Sequence, residues 1–163
     1  MIRKVQAAGL VIATAVVMAL AGPGLAANCE RPADAAIWEK ALLNWVNAER
    51  KALGLSTFRS NGKLQKAALA HACDMVEHNY FEHSRPGGPN LKERIKAVGY
   101  RFKAASENLA YTRQPDPGTV AEIWRNSSVH WGSMISPSYN EAGISIATGN
   151  GKIYWVMDMG RQK

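Results

Sequence analysis

Four histidines and two glutamates hold most of the chemistry open to this chain: His71, His78, His83, His130, Glu107 and Glu141. His71 and His78 fall on one predicted helix with an alanine-rich face, where an imidazole is normally packed or solvated. His83 and His130 differ, because both sit in short polar segments at the ends of elements. His83 follows Tyr80-Phe81-Glu82 and precedes Ser84 and a Gly/Pro loop; His130 closes Ser127-Ser128-Val129-His130. Rigid elements aim functional side chains outward from such places. Glu107 lies within a strand-like run and Glu141 opens a hairpin. Two His and two Glu suit zinc or another borderline divalent ion. A His oriented by a Glu suits acid–base work equally well. Spacing alone does not join the four into one site, and no Ser or Cys stands beside a His in a recognisable nucleophile motif.

The elements that must position these groups belong to one domain. The chain has 163 residues, 47% of them hydrophobic and 20% charged, a composition that excludes disordered and fibrous classes. The net charge is +7, which favours anionic lipid or polyanionic envelope polymers. With no Lys/Arg run interleaved with aromatics, specific nucleic-acid binding is not expected. Met1 to Lys4 form a positive start, Leu10 to Leu20 a continuous apolar run, and Gly22-Pro23 a break followed by small residues. That is the pattern of a cleaved secretory signal over residues 1–27, leaving no transmembrane helix and a secreted or periplasmic protein. Two cysteines then remain, and an exported chain with an even count forms a disulfide, Cys29 to Cys73. The competing reading makes Cys29 a lipidated cysteine, but Asn28 precedes it where a small residue is wanted.

Residues 28–36 read as an N-terminal extension and 37–163 as the domain. Asp34 caps a helix carrying Trp38, Leu42, Trp45, Val46 and Leu53, which Gly54 stops. After the Ser60-Asn61-Gly62 turn, a second helix runs from Lys63 to Asn79 with Leu64, Ala67, Ala68, Ala72, Met75 and Val76 on one face. Asn90 caps a short helix ending at Gly99, Tyr100 to Tyr111 reads as an irregular strand, and Thr119 caps a helix holding Val120, Ile123 and Trp124. Ala142–Ala147 and Lys152–Met157 are strand-like, and Asn150-Gly151 between them is a two-residue hairpin signal. Helices first and a hairpin last give an α+β fold with a small antiparallel sheet.

Six segments occur in a recognisable order: Asn47-Ala48-Glu49-Arg50, His78 to Ser84, Ser106-Glu107-Asn108-Leu109-Ala110, Trp124 to His130, Asn140 to Ile144, and Tyr154 to Asp158. On them the chain resembles a bacterial, secreted CAP-superfamily domain, the family of cysteine-rich secretory, antigen 5 and pathogenesis-related proteins, also called SCP domains. The resemblance runs from about Trp38 to Gly160. It implies an α-β-α sandwich with a small central antiparallel sheet. It also implies a cleft lined by His83, Glu107, His130 and Glu141, in which His83 and His130 hold zinc or another divalent metal. A small-molecule or lipid-like ligand is the partner it suggests, for a binding domain acting as a monomer. A metal-dependent hydrolase using Glu107 or Glu141 as base, and a structural or interaction module, are the alternatives. The chain departs from many relatives around His130: Ser128-Val129 replaces Pro-Gly before it, and Trp131, Gly132 and Ser133 follow where Arg and Asn are common. Trp131 is expected to pack rather than to stack on a ligand.

Intact-mass analysis of exported protein checks the first reading. The expected product lacks residues through Ala26 or Ala27 and has no alkylatable thiol before reduction; a diacylglyceryl mass on Cys29 contradicts it.

Overall fold

The computed structural model describes residues 29–163, so the signal-peptide expectation lies outside the described residues. Helix α1 spans Ala35–Ala52, strand β1 Arg59–Ser60, α2 Gly62–Glu77, α3 Leu91–Ala97, β2 Phe102–Thr112, α4 Pro117–Arg125, α5 Ser128–Met134, β3 Glu141–Gly149 and β4 Lys152–Gln162. The strands order as β1-β3-β4-β2. β2, β3 and β4 pair antiparallel, while the two-residue β1 runs parallel to β3 and makes the sheet mixed at that edge.

Local chemistry explains the element ends. The Asn61 side chain accepts from the backbone N–H groups of Lys63 and Leu64, which starts α2. Asn90 and Glu93 form a reciprocal capping box on α3. Asn150 and Gly151 both take positive φ, 53° and 68°, as a two-residue hairpin turn requires. Several residues depart from the sequence-based expectation. Asp34 stands at the start of α1 but makes no side-chain capping bond. Asp116, not Thr119, caps α4, with Pro117 in its first turn and the Thr119 hydroxyl donating to the Asp116 carboxylate. Leu53 lies at the α1 C-cap and is exposed rather than in the core stripe. Tyr100 precedes the strand, and α5, which the apolar pattern did not reveal, carries His130.

Sheet alternation separates two cores. Met157, Trp155 and Ile153 of β4 pack with Ile144 and Ile146 of β3 against α1, α4 and α5, where Leu42, Val46, Trp124 and Met134 are buried. Tyr154 and Val156 face the opposite way, against Ala68, Ala72, Met75 and Val76 of α2. Ile95 of α3 extends that layer with Leu64 and Tyr100. Both faces of the sheet are therefore covered, which is why β4 is buried almost throughout. The architecture is an α-β-α sandwich. The disulfide Cys29–Cys73 ties the segment before α1 to α2, a cross-link worth about 2–4 kcal/mol through loss of unfolded-chain entropy. Among the described residues no helix is long and apolar enough to cross a membrane.

Helix α2 lies so close to β3 that a Cβ on Gly143 would stand 2.0 Å from the Gln65 backbone nitrogen. Gly143→Ala should therefore lower stability by about 2–3 kcal/mol, as overpacking does. Gly151→Ala, strained only by its positive φ, should lose about 1 kcal/mol. Denaturant midpoints measure both, and the reverse order contradicts this packing.

Candidate functional site

Strand β2 forms one edge of the sheet, and its alternating side chains reach in two directions. Glu107 points toward α2 and α3, only 7% exposed. Its Oε1 accepts the Nδ1–H of His83 at 2.8 Å, and its Oε2 accepts from Arg94 Nη2 of α3 at 2.6 Å. Arg94 Nη1 also donates to the backbone carbonyls of His83 and Pro89, so one guanidinium fixes both the carboxylate and the loop bearing the imidazole. Burial alone would raise the Glu107 pKa. The hydrogen bond from His83 and the charge of Arg94 outweigh it and hold the group below its ordinary value.

A second carboxyl stands behind Glu107. Asp158 of β4 is its register partner, fully buried. No conventional donor reaches either Asp158 oxygen, and the neighbour it meets is Glu107 itself. Two carboxylates form a hydrogen bond only when one holds a proton. Burial, and then the negative charge of Glu107, push the Asp158 pKa well above the usual carboxylate range. Asp158 is therefore the member of the pair pushed toward its neutral form. His71, also fully buried, comes within 3.8 Å of Glu107 and donates Nε2–H to the Glu82 carbonyl at 3.1 Å. Burial lowers its pKa, so it is a neutral brace under the His83 loop. Asp74 steadies the same loop, accepting from the Tyr80 hydroxyl and from Arg85.

On the other face of β2, Asn108 Nδ2 donates to the His130 carbonyl at 3.0 Å, and the Ser106 and Ser133 hydroxyls are 3.0 Å apart. These contacts seat α5, whose first turn is capped by the Ser127 hydroxyl on His130 N–H. His83 and His130 consequently meet from opposite faces over the edge of β2. They line one cleft of about 390 Å³ with Phe81, Glu82, Ser84 and Leu109. The His83 side chain is 61% exposed. Because Glu107 takes its Nδ1–H, the neutral ring carries its lone pair on Nε2. His130 Nδ1 is buried without a partner, and burial lowers the His130 pKa, the nearby His83 adding to the effect.

The structure does not bring Glu141 to this cleft. It lies two strands away from Glu107 at the start of β3, opposite Gly160. Its carboxylate accepts from Tyr100 Oη at 2.8 Å, Gln162 Nε2 at 3.0 Å and Arg59 Nη2 at 3.2 Å. His78 is likewise apart, its Nδ1 meeting Asp74. Trp131 packs against the core of α1 and α4, with the Arg125 guanidinium over its ring. Among the described residues no three His, Cys, Asp or Glu side chains group to hold a metal ion. The cleft offers two imidazoles.

The profile of the cysteine-rich secretory protein family, CAP, matches residues 43–159. The chain belongs to this family. Among curated proteins, YkwD of Bacillus subtilis is 32% identical over 113 residues, 69% of this chain and 44% of YkwD, so the chain spans less than half of that relative's length. An outer surface protein of Borrelia burgdorferi shares the fold with a TM-score of 0.75 at 21% identity, covering 83% of this chain and 99% of that one. An extracellular SCP-domain protein of Bacillus anthracis gives 0.70 at 22% identity, covering 78% and 41%. Within this CAP fold, sequence reasoning missed Arg94 and Asp158, while His71 is packed, as its helical alanine-rich face suggested. Asp158 left a signal, a lone acid inside the apolar run Tyr154 to Met159, whereas Arg94 left none, since only the packing of α3 on β2 gives it a partner.

Neutral Asp158 has a consequence for stability. An unfolded Asp releases its proton near pH 3.9, while the buried one retains it to well above that. Between the two the folded state binds more protons, so this group's contribution to stability falls as pH rises. Asp158→Asn keeps a neutral side chain beside Glu107 and removes that loss. Its gain in thermal midpoint over the parent should widen from about pH 5 to about pH 8; a difference independent of pH contradicts a protonated Asp158.

Proposed function

We propose that this CAP domain is exported and acts as a binding domain, holding a divalent metal between His83 and His130 and a small or lipid-like ligand beside it. What carries the reading is that His83, whose Nε2 is left open because Glu107 takes Nδ1–H, and His130, whose Nδ1 is buried and without a partner, line one cleft. Neutral imidazole nitrogens of this kind suit zinc. Two protein ligands are fewer than a closed structural site uses, so bound metal would keep open positions and supply Lewis-acid polarisation of a ligand's oxygen.

The chain's own residues do the rest. Glu107 orients the His83 ring and fixes its tautomer. Arg94 holds the Glu107 carboxylate and the His83 carbonyl together, and Asn108 places α5. Phe81 and Leu109 give the cleft an apolar wall, with Tyr111 packed edge-on to Phe81, and an acyl or other apolar group would find its contact there. A hydrolytic reading that uses a glutamate as base has less support: Glu107 is enclosed and engaged by Arg94 and His83, and Glu141 is bonded elsewhere.

Zinc calorimetry on the oxidised domain tests the reading. His83→Ala and His130→Ala should each remove most of the affinity, and Glu107→Gln should weaken it roughly 10–100-fold through the lost orientation. His78→Ala should leave it unchanged; His71, a brace under the site, does not serve as a control. Affinity should fall as pH drops through the histidine range, near 6.5 for a free imidazole, because the ligand form is neutral. Equal zinc affinity in the His83→Ala/His130→Ala double variant would show that the three residues act structurally.

A further inference from the structure

Away from the histidine cleft, two concavities flank Glu141 where β2 begins and β4 ends. One, of about 440 Å³, is lined by Arg50, Arg59, Arg161, Tyr139 and Asn140 together with the Gly54–Thr57 loop and Pro137. The other, of about 430 Å³, is lined by Lys92, Lys96, Arg101 and Lys163 around Gly99, Tyr100 and Phe102. No Asp or Glu lines either one. Glu141 lies between them, accepting from Arg59 on the first side and from Tyr100 on the second.

The cations are incompletely matched. Arg50 is only 1% exposed, and its guanidinium donates to the carbonyls of Ser56, Met134, Ser136 and Tyr139. It lines the first concavity from beneath, and its charge has no carboxylate partner. Arg161 is likewise held by carbonyls, those of Ser138 and Pro137. The Arg59 side chain is 73% exposed, and Lys92, Lys96 and Arg101 are exposed. Gathering like charges around concave walls is self-repulsive and focuses a positive potential there, which an anionic partner relieves.

We infer that this end of the sandwich binds an extended polyanion, a linear polymer of repeating phosphate or comparable anionic groups that enters both concavities across the end of β4. A single anion fills one concavity only, whereas a chain of repeating anions can enter both. The exposed apolar residues that would enter a bilayer, such as Ile37, Ile123 and Val129, line neither concavity. The inference does not depend on the histidine cleft or on metal.

Long-chain inorganic polyphosphate, orthophosphate and vesicles of phosphatidylglycerol with phosphatidylcholine are the probes, with the thermal midpoint of each variant as a check on folding. The parent should bind polyphosphate with a steep salt dependence and orthophosphate far more weakly. Arg59→Gln/Arg161→Gln and Lys92→Gln/Lys96→Gln should each weaken polyphosphate binding roughly tenfold at fixed salt, from the loss of anion contacts. Arg113→Gln/Lys152→Gln removes the same charge at the other end of the sheet, beside the Asn150-Gly151 turn, and should barely change it. Equal weakening by that control would show net charge alone at work and overturn the site. Orthophosphate bound as tightly as polyphosphate would overturn the extended ligand, and vesicle binding without polyphosphate binding would replace the polymer by a membrane.

Discussion

The site depends on a single buried carboxylate. Glu107 stands at the meeting of α3, the loop after α2, and strands β2 and β4; it accepts from Arg94 and His83 and faces Asp158 across the β2–β4 register. A buried carboxylate is tolerable only when its charge is compensated and its lone pairs are filled. Arg94 supplies the charge, and Asp158, pushed toward its neutral form, opposes a second negative charge beside it. The residual capacity goes to His83. The ring that faces solvent is thus oriented by a network that solvent hardly reaches, so its geometry persists in a loop with little packing of its own.

Strand β2 converts that buried chemistry into a two-sided cleft. Because side chains alternate across the sheet, Glu107 serves one layer while Ser106 and Asn108 serve the other, seating His83 and His130 from opposite faces over the same edge. A one-residue slip in the β2–β4 pairing would exchange the two sets and dismantle both supports. The β2–β4 register is held by burial on both faces, and β4 is itself fixed against β3 by the Asn150-Gly151 turn. Gly143 and the close approach of α2 add a steric limit. Fold and site are therefore specified by the same contacts.

The parts legible in the sequence were those written in local chemistry. The Asn90 cap, the Ser60-Asn61-Gly62 turn, the alanine face of α2, the hairpin turn and the paired cysteines each need only a few neighbouring residues to be read. Helix α5 was not legible, because seven residues with one buried apolar side chain, Met134, carry no stripe. The order of motifs pointed to His83, Glu107 and His130, and the fold sets the three around one strand edge. The same order misplaced Glu141, since position along the chain does not tell which strand neighbour a side chain will face. Arg94 and Asp158 escaped notice for the complementary reason. Their partners lie 13 and 51 residues away in sequence, and only packing and strand register bring each to Glu107.

The central claim is that Glu107 fixes the protonation geometry of His83, leaving its Nε2 lone pair toward the cleft. Long-range proton–nitrogen NMR of the oxidised domain near pH 8, where a free imidazole is neutral, reads this directly. The account predicts a His83 ring locked as the Nδ1–H tautomer, with an unprotonated Nε2 signal that Glu107→Gln shifts toward the average of a free imidazole. A protonated Nε2 in the parent, or a ring averaged between tautomers and indifferent to Glu107, would contradict it.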